Sequence, residues 1–123
     1  MPSVSVGGNE LSYKFNGTQS RNRSPVLVLI HGAGGNARDW PEEGRRLEEF
    51  PVYALELPGH GKSAGGGCRS VDVYAASVAG FLDSLALENV ILVGHSMGAY
   101  TALHVGLRHP ERCLSVAALG CGW

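Results

Sequence analysis

Residues 89–100 read NVILVGHSMGAY. The stretch Val90–Val93 is continuously apolar and mostly β-branched, as a strand buried on both faces should be. Helical spacing takes over from Ala99. Between them lies Gly94-His95-Ser96-Met97-Gly98, a G-x-S-x-G pattern set on a strand-to-helix boundary. A turn this sharp holds its serine in a strained backbone conformation. Side chains two places to either side would collide with each other or with neighbouring strands, and glycine removes the clash. Such a turn lifts Ser96 Oγ above the sheet edge at the start of a helix. Backbone N–H groups and the positive end of the helix dipole then face any negative charge that develops there. The competing reading is a serine that merely caps a helix.

The surrounding chain repeats the same alternation. Ser3–Val6 and Leu11–Phe15 read as two strands of a hairpin joined by Gly7-Gly8-Asn9-Glu10. Asn16 to Pro25 is a polar surface loop. VLVLI at 26–30, Val52–Leu55 and Leu114–Leu119 are further strands. A helix is expected from about Asp39 as N-cap, with Pro41 in its opening turn, to Phe50 before Pro51. A second starts at Ser70 and carries one apolar stripe through Val71, Tyr74, Ala75, Val78, Phe81, Leu82 and Leu85. A third runs from the glycines around Ser96 to just before Pro110. It is apolar nearly all round and is expected to be buried. Strand and helix alternate three times, so the fold class is α/β: a mostly parallel sheet, helices on both faces, and an antiparallel hairpin leading in.

In such sheets, functional groups gather where strands end and helices begin. Two other glycine-rich turns occupy that edge, and each has a rival reading. Gly32-Ala33-Gly34-Gly35-Asn36-Ala37 fits the dinucleotide pattern G-x-G-x-x-A, with Glu56 placed where a ribose-binding acid would stand. Two features weigh against it: Glu56 runs straight into Leu57-Pro58-Gly59, and a leading hairpin is foreign to that motif. Gly61-Lys62-Ser63 has the tail of a phosphate-binding loop. The full motif needs glycine at 56 and finds Glu56, so that reading fails.

The stretches LVLIHGAGGNARDW, ALELPGHGKS and VILVGHSMGAYTALHVGLRHPER, in this order, resemble the N-terminal half of an α/β-hydrolase. The resemblance covers about Val4 to Leu119. It implies that Ser96 is the catalytic nucleophile of a serine hydrolase, esterase-like, and that Ala33 N–H and Met97 N–H form the oxyanion hole. Gly94 and Gly98 would support the turn around Ser96. His31, Gly32 and His95 would hold the loop or pack behind it, and His60 would serve the PGHG turn structurally. Trp40 matches a family aromatic beside the pocket, although a packing role fits equally well. Haloalkane dehalogenases and epoxide hydrolases of this fold carry aspartate at the elbow, so Ser96 argues against both. Acyl transfer from an ester-type or related carbonyl substrate to water remains.

The same resemblance exposes a gap. The family's order is Ser, then Asp or Glu, then His. After Ser96 the chain offers Glu111 as its one acid, and its histidines there, His104 and His109, precede it. No triad acid or histidine is therefore assigned in the chain. The expectation is a single, incomplete core over 1–123, lacking the C-terminal strands: a fragment or short form of a longer hydrolase. A chain ending at its sixth strand would leave an open apolar edge there. A non-catalytic short form acting as a binding module is the alternative. It would self-associate or recruit a complementing partner along that edge.

Composition narrows the other classes. Eighteen glycines exceed ordinary usage, and ten of them cluster at 32–35, 59–67 and 94–98, in the three turns. A formal charge of −1 makes no case for nucleic acid or an anionic membrane. No apolar run reaches the roughly 20 residues of a membrane span. Residues 1–10 lack the pattern of a signal peptide, so a cytoplasmic location is expected. Cys68, Cys113 and Cys121 are odd in number and lack paired spacing, and are expected as small buried thiols. No metal or organic cofactor is implied.

Overall fold

A computed structural model describes residues 2–17, 25–45, 50–65 and 70–120. Strands β1 (Ser3–Val6) and β2 (Asn9–Asn16) are followed by β3 (Val26–Ile30), α1 (Glu42–Arg45), β4 (Val52–Leu55), α2 (Val71–Ser84), β5 (Val90–His95), α3 (Met97–Arg108) and β6 (Cys113–Leu119). One six-stranded sheet results, in the order β1-β2-β4-β3-β5-β6. β1 and β2 pair antiparallel, β2 joins β4 antiparallel, and β4, β3, β5 and β6 run parallel. The mixed α/β sheet expected from the sequence is present.

Period-two alternation sorts each central strand between two cores. Val28, Ile30, Leu55, Val90 and Leu92 face one side, where Tyr74, Val78, Phe81 and Leu82 of α2 and Ala102 and Val105 of α3 pack on them. Leu29, Val52 and Ala54 face the other, with Ala37 and, at the margin, Leu27, Trp40 and Val93. VLVLI is thus buried on both faces, which explains its uninterrupted apolar run. Each fully buried side chain such as Phe81 or Leu92 contributes about 1.5–3 kcal/mol by leaving water.

Several local expectations need correction. The hairpin turn is Gly7-Gly8 alone, since Val6 pairs with Asn9; both glycines take positive φ, which a two-residue turn matching the sheet twist requires. Asp39 does not cap a helix. Asn36 caps a 3-10 turn over Ala37–Asp39, and Asp39 closes the capping box by accepting the Asn36 N–H at 3.0 Å. α1 starts only at Glu42, and the rest of the helix expected up to Phe50 lies mostly outside the described residues. Ser70 does cap α2, accepting the Asp72 N–H at 3.1 Å. α3 is less buried than its composition suggests: Leu107 is 80% exposed, on a face that neither the sheet nor α2 covers. Cys113 is a free, half-buried thiol rather than a fully buried one, and Cys68 and Cys121 lie outside the described residues.

The chain direction creates the site. From β3 the chain passes to one face of the sheet and then to β4. From β5 it passes through α3 on the opposite face to β6. β3 and β5 are paired as far as Ile30 and Gly94, so the connections that leave them part to opposite faces there and leave a crevice between them. His31-Gly32 leaves one side of that crevice and Ser96 the other.

Candidate active site

Ser96 is exposed and has φ 57° and ψ −118°, a left-handed conformation that costs a non-glycine residue about 1–3 kcal/mol. The fold holds it there from both sides. Its N–H donates to the Leu119 carbonyl at the end of β6, 2.9 Å away, and its carbonyl accepts the Ala99 N–H at 2.9 Å. The flanking glycines are steric necessities. A Cβ on Gly94 would strike the Gly98 carbonyl, and one on Gly98 would strike the carbonyls of Ile30 and His31. Backbone touching backbone cannot be relieved by a rotamer change. Ser96 makes no side-chain capping bond to its own helix, which removes the capping reading. Among the described residues no other side chain hydrogen-bonds its Oγ.

Gly32 lies directly across the crevice; a Cβ built on it would stand 3.3 Å from Ser96 Cβ and 3.4 Å from the His95 carbonyl. The turn that follows is closed by Gly35 N–H donating to the Gly32 carbonyl at 3.0 Å, and it presents Ala33 and Gly34 to solvent. Met97 occupies the first position of α3, where helix geometry leaves an N–H without an intrahelical acceptor. The residues singled out from the sequence, Ser96, Gly32, Ala33 and Met97, therefore converge on one crevice.

The histidines do other work. His31 is buried, accepts the Leu57 N–H on Nε2 at 3.0 Å, and meets the Gly32 carbonyl with Nδ1 at 2.7 Å. An Nε2 that accepts is unprotonated, so Nδ1 carries the hydrogen and donates. Burial pushes the His31 pKa down, against the opposing effect of its bond to Gly32, and the ring is neutral. His60 turns Nδ1 to the Pro58 carbonyl and packs on His31, ring centres 5.0 Å apart. His95 stands edge-on to Trp40 at 6.5 Å and close to Gly120. His104 pairs with Asp72 at 2.9 Å, and His109 lies 3.8 Å from Glu111. None of the five hydrogen-bonds Ser96. A cavity of about 160 Å³ adjoins the crevice, lined by His31, Gly32, Asp39, Trp40, Pro41 and His95.

Glu56 is the residue whose role the sequence did not reveal. It is 3% exposed. Its Oε1 accepts the Ser12 hydroxyl at 2.6 Å and the Lys62 N–H at 2.8 Å, and its Oε2 accepts the Ala37 N–H at 3.1 Å. Burial alone would raise its pKa. The donors from Lys62, Ser12 and Ala37 outweigh that and hold the carboxyl below the ordinary glutamate value. A carboxylate so occupied has no room for a ribose, and the dinucleotide reading falls with it. The available signal was a single acid between an apolar strand and a glycine turn.

Residues 25–121 match the α/β hydrolase fold family. The chain belongs to that family. Among its α/β-hydrolase relatives is the 2-hydroxy-6-oxononadienedioate/2-hydroxy-6-oxononatrienedioate hydrolase of Paraburkholderia phymatum. It is 36% identical, over 97% of this chain and 43% of its own length. Lipase LipV of Mycobacterium tuberculosis is 32% identical, over 77% of this chain and 37% of its own. The enol-lactonase structure from Burkholderia xenovorans superposes with a TM-score of 0.84 at 29% identity, covering 94% of this chain and 45% of that one. The chain spans about two fifths of the length of these relatives. Among the described residues no helix is long and apolar enough to cross a membrane, and no group of three or more His, Cys, Asp or Glu is placed to hold a metal ion.

Proposed function

We propose that Ser96 is the nucleophile of a serine hydrolase that transfers an acyl group from an ester-type or related carbonyl substrate to water. One observation carries the reading: an exposed serine held at positive φ, its Oγ making no capping bond to its own helix, in the crevice between β3 and β5. Strained backbone of this kind clusters at active sites, where it is part of the mechanism. The similarity to a lipase and an enol-lactonase supports a carboxylic ester or lactone as the substrate class.

In this reading Ser96 Oγ attacks the substrate carbonyl carbon while a base takes its proton. The carbonyl π pair moves onto oxygen, and Ala33 N–H and Met97 N–H stabilise the oxyanion. Collapse expels the leaving group, which takes up the proton and leaves an acyl-enzyme. Water, deprotonated by the same base, then releases the acid. The base and its orienting acid are proposed to come from polypeptide outside these 123 residues. That none of the five histidines hydrogen-bonds Ser96 supports this. Glu111 precedes a seven-residue strand whose far end meets Ser96, about 23 Å away at 3.3 Å per residue. Without such groups, turnover would fall on the order of 10⁶-fold.

A second reading is a non-catalytic interaction module pairing through β6. Among the described residues that strand has one neighbour, β5, and it carries Leu114 and Leu119 at 59% and 47% exposure. One experiment separates the two. The full polypeptide encoded by the gene is treated with a fluorophosphonate, alongside its Ser96→Ala variant. Labelling of the wild type alone supports the hydrolase; equal labelling of both removes Ser96 as nucleophile and leaves the interaction module.

A further inference from the structure

The loop that leaves β3 is tied at both ends to a single dipeptide. At its start, His31 Nε2 accepts the N–H of Leu57. At its far end, Ala37 N–H donates to the carboxylate of Glu56. Between those ties lies the tight turn Gly32–Gly35, closed by its own hydrogen bond and bearing Ala33. The dipeptide is in turn anchored. Glu56 N–H donates to the Ser12 carbonyl in β2, and the Ser12 hydroxyl and Lys62 N–H hold Oε1. Ser63 Oγ donates to the Glu56 carbonyl at 2.5 Å and accepts the Ser12 N–H at 2.8 Å. Gly61 is part of the same fit, because a Cβ there would overlap the Glu56 carboxylate.

We propose that Glu56 is a positioning residue for the reaction at Ser96: with Leu57 it brackets residues 31–37 and fixes Ala33 N–H against the crevice. The proposal rests on the hydrolase reading of Ser96. Glu56 touches no reacting atom and acts through the loop. A loop of small residues, Gly32-Ala33-Gly34-Gly35, has little side-chain packing to hold its shape, so its conformation depends on hydrogen bonds at its ends. A donor aimed at an oxyanion is effective only if it is in place before the charge develops. The ionised carboxylate supplies that fixity, since hydrogen bonds to a charged acceptor are about twice as strong as neutral ones.

The two carboxylate oxygens make the idea separable from general destabilisation. In Glu56→Gln the amide oxygen is best placed where two donors converge, from Ser12 and Lys62. Its NH₂ then opposes the Ala37 N–H and releases the loop. Ser12→Ala removes a bond from the other oxygen and leaves the loop tie intact. Both variants disturb one buried network, so both serve as stability controls for each other. Ala37→Pro deletes the donor instead of the acceptor. Ala37 opens a 3-10 turn and Asn36 before it is extended, a backbone that proline accepts.

The test uses the full polypeptide with p-nitrophenyl acetate as substrate and amide hydrogen exchange as the structural readout. Glu56→Gln is expected to raise exchange at Ala37 about tenfold and to lower kcat about tenfold, with KM held within about twofold. Ala37→Pro is expected to reproduce the kcat loss, and Ser12→Ala to leave kcat and Ala37 exchange within about twofold of wild type. Unchanged exchange in Glu56→Gln overturns the proposal. So does raised exchange with unchanged kcat, or a Ser12→Ala variant as slow as Glu56→Gln. If Glu56→Gln fails to fold, Ala37→Pro against Ser12→Ala decides by kcat. Hydrolysis that survives Ser96→Ala, or is absent from the wild type, overturns the hydrolase reading, while the exchange rates still report whether the bracket exists.

Discussion

Replacing Ser96 by glycine should make the protein more stable while abolishing serine reactivity. At φ 57° and ψ −118° the wild-type residue bears about 1–3 kcal/mol of backbone strain. Glycine enters that region without a Cβ clash and recovers most of it. Against this, glycine adds freedom to the unfolded chain, which costs about 0.4–1 kcal/mol. The net expectation is a gain of roughly 1 kcal/mol. For a chain of this size that corresponds to a rise in Tm of about 3–6 °C. Ser96→Ala is the reference variant. It keeps the Cβ and hence the strain, and the hydroxyl it removes bonds to no described side chain, so its stability should match the wild type within about 0.5 kcal/mol. The assay is the urea midpoint of each variant at pH 7.5, with the slope compared to ensure that only stability changed. Glycine ranking below alanine would refute the reasoning. It would mean that the conformation at Ser96 is no burden, and the argument that its hydroxyl is retained for chemistry would lose its basis.

Two further outcomes follow from the packing and the titrating groups. Gly98→Ala places a methyl on the carbonyls of Ile30 and His31, so it should cost about 1–3 kcal/mol by denaturant midpoint and slow fluorophosphonate labelling of Ser96; unchanged labelling would separate the β3–α3 contact from the site. Acid should destabilise the protein in two stages. His31 has a folded pKa below its ordinary 6.5, so the unfolded chain binds its proton first, and stability is full above pH 6.5 and declines as pH falls below it. Glu56 adds a second decline below about 4.5, as pH falls towards its lowered folded value. His31→Gln should abolish the first stage, and a wild type that gains stability relative to this variant between pH 7 and 5.5 would contradict the assigned neutral ring.

The parts legible in the sequence were those with a local cause. VLVLI announced burial on both faces because no polar residue interrupts it. Ser70 announced a helix start, and Gly94 and Gly98 announced close backbone approach around Ser96. The elements misread were those decided by contacts distant in sequence. Leu107 belongs to an apolar helix, yet only the packing of α2 and β6 determines which side of that helix remains bare. Asn36 and Asp39 could each cap something, and the 3-10 turn chose Asn36 because Ala37 is drawn in by Glu56. Glu56 itself meets Ser12, Ala37 and Lys62 at separations of 44, 19 and 6 residues. No periodicity carries that information.

The two borders of the sheet are unlike. β1 is a four-residue strand in which Ser3 and Ser5 alternate with valines, and Ser3 hydroxyl is tied to Glu10. β6 is seven residues long, CLSVAAL, without a charge, and its outer backbone groups have no strand to pair with among the described residues. Short polar borders discourage further pairing, whereas long uncharged ones invite it. Among the described residues the sheet is therefore asymmetric, with a short polar margin at β1 and a long uncharged one at β6. Any strand that joins it, from the same polypeptide or another, docks next to the strand whose last carbonyl holds Ser96 in place. The open margin of the sheet and the backbone of Ser96 are thereby one hydrogen bond apart.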